Sequence, residues 1–219
     1  MSLKKYDVIL FDLDGTLTDP AEGITNSVEY ALNFYGIKVE SKSELNCFIG
    51  PPLYASFEKY YGYTKEKAIE AVAKYREYFG TKGIFENRLF DGVKEFLEEL
   101  KNNGFKIVLA TSKPEVYALK ILEHFDIERY FDCVVGSLLS GERVDKADVI
   151  NECLKRLKNV NAKNCVMIGD REHDIIGAKK NNMDSIGVLF GYGDRKELES
   201  ANADYIVSSF EEINVILTK

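Results

Sequence analysis

No C-x-x-C pair, no basic block and no long apolar run occur in these 219 residues. The four cysteines, Cys47, Cys133, Cys153 and Cys165, are scattered, and Cys133 and Cys165 lie inside apolar runs. They read as reduced core thiols, which sets aside a disulfide framework and a thiolate zinc site. Lysines and arginines cluster only as short pairs such as Lys4-Lys5 and Lys179-Lys180, and the net charge is -7. A nucleic acid polymer or an anionic membrane surface is therefore not the expected partner. Without an apolar stretch long enough to span a bilayer or serve as a leader, the expected location is the cytoplasm. What remains, at 45% hydrophobic and 30% charged, is the composition of a chain that buries a sizeable core, as one domain or a domain with an insertion.

The most informative stretch covers residues 6–18. Val8-Ile9-Leu10-Phe11 is an unbroken apolar run, and it stops at Asp12-Leu13-Asp14-Gly15. Such a run predicts a strand buried on both faces, with two carboxylates at its C-terminal tip, where open α/β sheets bind ligands. Residues two apart in extended chain share a face, so Asp12 and Asp14 would repel unless a cation or donors compensate them. A divalent ion is the simplest compensation, and an all-oxygen site favours Mg²⁺.

Residues 17–85 then read as helical. Apolar positions at 24, 28, 31, 32 and 35 predict a helix from Pro20 to a Gly36 cap, and Ser41-Lys42-Ser43-Glu44 has the form of a capping box. Gly50-Pro51-Pro52 breaks the chain before a run to about Tyr61, and Thr64 caps a longer helix that ends at Gly80 and Gly83. Beyond it, strands alternate with helices. Strands are expected at 105–110, ending before Thr111, and at 133–136, 165–168, 185–189 and 205–207, with helices between them. That alternation predicts an α/β fold, a doubly wound parallel sheet covered on both faces, with a helical insertion at 17–85 and the sheet domain in 1–16 and 86–219. Asp12 and Asp14, Thr111 and Ser112, and Gly169-Asp170 would then meet at one edge of the sheet.

Taken in order, Asp12-Leu13-Asp14-Gly15-Thr16, Thr111 after an apolar strand, Lys146 before a helix, and Gly169-Asp170-Arg171-Glu172-His173-Asp174 resemble the four motifs of the haloacid dehalogenase (HAD) superfamily. The likeness spans essentially the whole chain, and the helical insertion after the first motif resembles the helical-cap subgroup that contains phosphoglycolate phosphatase. The resemblance implies a Rossmann-like core with a cap domain. It also implies that Asp12 is the nucleophile, that Asp14 is the general acid and base, and that Thr111 and Lys146 act on the transferring phosphoryl group. Asp12, Asp170 and the Asp14 carbonyl would hold Mg²⁺, with Asp174 as a further ligand or an orienter of metal-bound water. Thr16 and Ser112 complete the phosphate-binding candidates. In the helical segment Gly50 and Arg76 are the substrate-facing candidates, with Glu22 and Asn26 beside them.

Some assignments stay open on the sequence. Lys146 is followed by alanine where many relatives have proline, and Arg143 is a rival cation. Arg171 could sit near the site or at the surface, His173 reads as hydrogen-bonded or solvated, and Lys113 could face phosphate or simply start a helix. The leading functional expectation is a Mg²⁺-dependent phosphatase for a small phosphorylated metabolite such as phosphoglycolate, a sugar phosphate or a nucleoside monophosphate, acting as a monomer or dimer. The alternatives are a phosphomutase and a non-catalytic binding module.

Overall fold

The structure is a computed structural model, and it describes residues 5–218. By packing, the chain divides into two compact units, one made of residues 1–18 and 89–219 and the other of residues 19–88. The first strand, β1 (Val8–Phe11), is buried at every position. It is central in a six-stranded parallel sheet whose other members are β4 (Lys106–Pro114), β5 (Cys133–Ser137), β6 (Cys165–Gly169), β7 (Asp184–Val188) and β8 (Tyr205–Val207). The order is β5-β4-β1-β6-β7-β8, and the two-residue strands β2 (Thr18–Asp19) and β3 (Arg88–Leu89) lie outside this sheet. Leu10 lies opposite Val108 of β4 and Met167 of β6, so the three strands run in register toward one edge of the sheet.

Alternation along β1 serves two cores. Val8 and Leu10 pack with Val108, Ala110 and Val135, and with Val149, Ile150 and Cys153 of helix α6 (Lys146–Leu157) and Ala178 of α7 (Glu172–Lys180). Phe11, pointing the other way as strand geometry requires, meets Phe96 of α4 (Val93–Asn102) edge to face, with ring centroids 6.0 Å apart. Phe96 continues the contact to Phe210 at the start of α9 (Phe210–Leu217), Phe210 touches Phe190, and Phe190 touches Phe90. All four cysteines are free thiols, with Cys153 and Cys165 fully buried.

Two features of this unit differ from the sequence expectation. Strand β4 does not stop before Thr111 but continues to Pro114, with its register against β5 shifting between Ala110 and Pro114. Two contacts draw the chain on: Ser137 Oγ donates to the Ser112 carbonyl, and Gly136 has no Cβ where the Lys113 carbonyl and the Glu115 backbone pass. Helix α5 (Glu115–His124) therefore begins one residue beyond Pro114. A further short helix, α8 (Arg195–Ser200), is started by the Asp194 carboxylate accepting from the Glu197 amide, and residues 195–200 have too little apolar periodicity to announce it.

The second unit is helical, with α1 (Ala21–Phe34), α2 (Leu53–Tyr61) and α3 (Lys65–Tyr78) packed through Ile24, Val28, Leu32, Phe57, Ala68 and Val72. Thr64 accepts from the Lys67 amide as a side-chain cap. Ser41 does not form the expected capping box: its hydroxyl meets Ser43, and the segment that follows is a 3₁₀ helix, Lys42–Phe48. In place of a clean stop at Gly80, α3 runs into one wide turn, Phe79–Gly83, where Gly83 lies so close to Gly23 of α1 that neither could carry a side chain.

Phe96 is 5% exposed and joins Phe11 to Phe210. Phe96→Ala should therefore lower stability by about 3–5 kcal/mol, read as an earlier urea midpoint with an unchanged slope.

Candidate active site

The site is built at the C-terminal tips of β1, β4 and β6. Asp12 follows β1, and its amide donates to the Ile168 carbonyl at 2.9 Å, so its main chain is still held by the sheet. The chain then closes on itself. The amides of Thr16, Leu17 and Thr18 all point to the Leu13 carbonyl, and Gly15, at φ +83°, donates to the Thr18 carbonyl. That left-handed turn suits glycine, and it leaves Asp14 buried beside Asp12 rather than directed to solvent.

Two lysines divide these acids. Lys146 Nζ lies 2.8 Å from Asp12 Oδ1 and 2.8 Å from Asp174 Oδ1, and donates to the Ala110 carbonyl at 2.9 Å. It stands at the first turn of α6, capped by Asp145, and passes over Gly177 of α7, where a Cβ would press on the lysine stem. Arg143, the rival cation, is engaged elsewhere with Glu115, Glu152 and the Gly136 carbonyl. Lys113 Nζ lies 2.7 Å from Asp14 Oδ2, with only 6% of the lysine side chain exposed. Its placement follows from the shifted register of β4, a device that re-aims side chains beside functional sites. The same segment keeps Thr111 buried, its hydroxyl oxygen accepting from the Lys113 amide.

Asp170 follows β6, and Asp174 lies in the first turn of α7, where its Oδ2 accepts from the Arg171 amide. Arg171 itself is turned to Glu197, at 2.8 Å, and His173 is half-buried, with burial pushing its pKa down. One carboxylate oxygen from each of Asp12, Asp170 and Asp174 falls within 4.8 Å of the others. The Asp14 carboxylate belongs to the Lys113 pair and not to this cluster. Buried Asp170 Oδ1, Asp14 Oδ1 and Thr16 Oγ1 have no hydrogen-bond partner among the described residues.

Burial raises the pKa of Asp170 well above the usual carboxylate range, and Asp174 and Asp12 add to the rise. Burial also pushes Asp174 up to about 6, against the pull of Lys146, and raises Asp14 against the pull of Lys113. For Lys146, burial disfavours the ammonium, but the Asp12 and Asp174 carboxylates outweigh it and the net direction is upward. Fully ionised, the four buried carboxylates would face two ammonium groups with an excess of two negative charges. An all-oxygen donor set with that excess, and with Asp170 Oδ1 unpartnered, fits a divalent cation of the Mg²⁺ type.

Gly50 and Arg76 lie in the helical unit. Gly50 takes φ +98° just before the prolines that lead into α2, and Arg76 is in the last turn of α3. Asn26 is already committed, donating to Glu86 and accepting from Lys42. Sequence reasoning left open the partner of Lys113 and passed over Gly191-Tyr192-Gly193, which packs on Asp170. For the glycines the available signal was their position directly after a strand that ends at the same edge.

The raised carboxyl pKa values have a consequence for the metal-free protein. A buried acid that binds its proton more tightly folded than unfolded makes stability fall as pH rises from about 4. For Asp174 that fall continues to about 6. Asp170→Asn should raise metal-free stability by about 1–3 kcal/mol at pH 7.5 and flatten this pH dependence. It should also remove any rise in melting temperature on adding Mg²⁺. Differential scanning fluorimetry over pH 4–8, with chelator and with Mg²⁺, checks all three.

The family model of haloacid dehalogenase-like hydrolases matches residues 9–188. The chain is 44% identical over 213 residues to a 5'-nucleotidase from Pseudomonas aeruginosa, an alignment spanning 97% of this chain and 96% of that protein. It is 38% identical over 186 residues to the tyrosine-protein kinase PtkA of Mycobacterium tuberculosis, spanning 85% of this chain and 63% of PtkA. The crystal structure of a predicted phosphatase from Clostridium acetobutylicum, 52% identical, superposes with a TM-score of 0.95 over 98% of this chain and 99% of that one. With its paired acids at the tip of β1, two lysines beside them and an acid-bearing turn after β6, the chain belongs to the haloacid dehalogenase-like hydrolases and is a phosphatase of that family.

Proposed function

We propose that the protein is a Mg²⁺-dependent phosphatase acting on a small phosphomonoester, with a nucleoside monophosphate as the first substrate to test, through an aspartyl-phosphate on Asp12. The observation that carries this reading is the division of labour between the two neighbouring acids: Asp12 is paired with Lys146, whereas Asp14 is paired separately with Lys113. A phosphomonoester resists attack because its oxygens are already negative, so catalysis needs charge neutralisation and placement more than a strong base. Asp12, held in place by the sheet and Lys146, is suited to attack phosphorus while the bond from phosphorus to the leaving oxygen breaks. Asp14 then supplies the proton to the leaving alkoxide. In the second half-reaction it takes a proton from the water that attacks the phosphorus of the aspartyl-phosphate, releasing inorganic phosphate and restoring Asp12.

Lys146 opposes charge on the transferring group, and the Thr111 hydroxyl, the Ser112 amide and the Thr16 hydroxyl are the donors assigned to phosphoryl oxygens. Asp12, Asp170 and the Asp14 carbonyl would hold the cation, with Asp174 placed to ligate or to orient a bound water. When bound, the cation neutralises charge on the nucleophile and the phosphoryl oxygens. The nucleoside monophosphate assignment is supported by the relative named a 5'-nucleotidase, which aligns over nearly its full length. A second reading follows from the relative named a tyrosine-protein kinase: the same phosphoryl group passed to a hydroxyl acceptor instead of water.

Asp12→Asn should lower turnover at least about a thousandfold, close to 4 kcal/mol of barrier. A panel of nucleoside monophosphates, phosphoglycolate and sugar phosphates, assayed for phosphate release and for transfer to a tyrosine peptide, tests the substrate class. Residual activity near wild type in Asp12→Asn would overturn the covalent scheme, and efficient transfer without release would replace hydrolysis by the second reading. The helical unit is assigned the choice among leaving groups, because the sheet-edge residues address only phosphate and cation. Substitutions at Gly50 and Arg76 should therefore change kcat/KM unequally across that panel while leaving Mg²⁺ affinity unchanged. A common factor for all substrates would make the unit a cover and not a selector.

A further inference from the structure

One segment at the strand tips has so far no part in the chemistry. Residues 189–194 follow β7, and the Tyr192 main-chain amide donates to Asp170 Oδ2 at 2.7 Å. That is the short, charge-assisted type of hydrogen bond. It occupies one oxygen of the carboxylate and leaves Oδ1 as the oxygen without a hydrogen-bond partner among the described residues. The glycines on either side allow the approach. A Cβ on Gly193 would run into the Asp170 carbonyl oxygen, and one on Gly191 into the Gly15 carbonyl and the Asp170 side chain. Gly15 comes up to the same oxygen, since a Cβ there would strike Asp170 Oδ2. Three glycines thus bring backbone directly against Asp170, two at its side chain and Gly193 at its main chain.

The turn is also fastened at both ends. Before it, the Leu189 amide donates to the Val207 carbonyl, and the Phe190 ring packs at an angle between Phe90 and Phe210, with centroids 5.5 and 5.0 Å away. After it, Asp194 starts α8, whose Glu197 accepts from Arg171 Nε and from the Glu172 amide, both at 2.8 Å. Glu197 therefore ties the far end of the turn to the two residues that directly follow Asp170. The path from Asp170 through the turn to α8 and back to Arg171 is a closed loop of contacts.

We propose that Gly191-Tyr192-Gly193, anchored by Phe190 and Glu197, is the positioning element for Asp170, fixing its carboxylate so that Oδ1 is presented to the cation. This rests on the reading of Asp170 as a metal ligand. Groups that hold a ligand in place set affinity by removing the alternative orientations of that ligand. Tyr192 acts through its main chain, so its phenol is not needed for this role.

The test is Mg²⁺ binding to chelator-treated protein by calorimetry, with the far-ultraviolet circular dichroism and melting temperature of each metal-free variant as the fold control. Gly193→Ala forces the turn away from Asp170 and should weaken Mg²⁺ about 10–100-fold. Activity should recover toward wild type at saturating Mg²⁺, which a general structural defect would not allow. Glu197→Ala loosens the anchor without touching Asp170 and should weaken Mg²⁺ in the same direction, by about threefold or more. If Gly193→Ala does not fold, Glu197→Ala decides alone. Folded variants with the wild-type dissociation constant overturn the proposal while leaving the metal reading intact. Wild-type protein that binds no Mg²⁺, and behaves like Asp170→Asn, overturns both.

Discussion

The Lys146 ammonium, wedged between the Asp12 and Asp174 carboxylates, is the interaction on which the rest of the site depends. Burying charge is costly unless it is paired, and breaking one member of a buried set leaves the others exposed to that cost. Here α6 inserts the ammonium from the side, along a path that exists because Gly177 of α7 has no side chain. The Ala110 carbonyl takes up one of its hydrogens, so the lysine is held by backbone as well as by charge. With Lys146 in place, Asp12 and Asp174 can share one protein cation and still retain negative charge for a second, external one. Asp170, which has no such lysine partner among the described residues, is left as the strongest demand for that external charge.

The second lysine shows how much a local irregularity can decide. Had β4 ended cleanly at Ala110, Lys113 would have entered the first turn of α5 as an exposed charge. The shifted register against β5 instead keeps the chain extended through Pro114 and directs Lys113 to Asp14. Neighbouring acids at the end of one strand thereby receive different partners from different elements. Separate environments for chemically identical groups are what allow one to act as nucleophile and the other to carry a proton.

Glycine supplies the remaining precision. Around Asp170 the close approaches come from Gly15, Gly191 and Gly193, and around Asp174 from Gly169, where a Cβ would overlap the carboxylate. Each lets backbone stand where a side chain would otherwise set the distance. The aromatic series from Phe11 through Phe96, Phe210 and Phe190 to Phe90 backs the same region from one face of the sheet. The acids are therefore supported by a packed apolar layer as well as by hydrogen bonds.

Much of this was legible along the chain. The apolar run ending in Asp12-Leu13-Asp14-Gly15, the alternation of strands with helices, and the acids and hydroxyls at the strand ends follow from periodicity and turn chemistry, which act between residues close in sequence. They determine a parallel sheet and the edge where the site must form. What the tertiary structure alone decided is which charge meets which. Lys146 rather than Arg143 reaches Asp12 because Glu115, Glu152 and the Gly136 carbonyl hold the arginine. Lys113 reaches Asp14 because β5 draws β4 beyond its expected end, and Ser41 caps no helix because its hydroxyl is turned to Ser43. Tyr192 meets Asp170 across 22 residues of sequence. Such pairings depend on register, on helix placement and on the absence of a Cβ at a few glycines, and local sequence pattern carries no record of those distances.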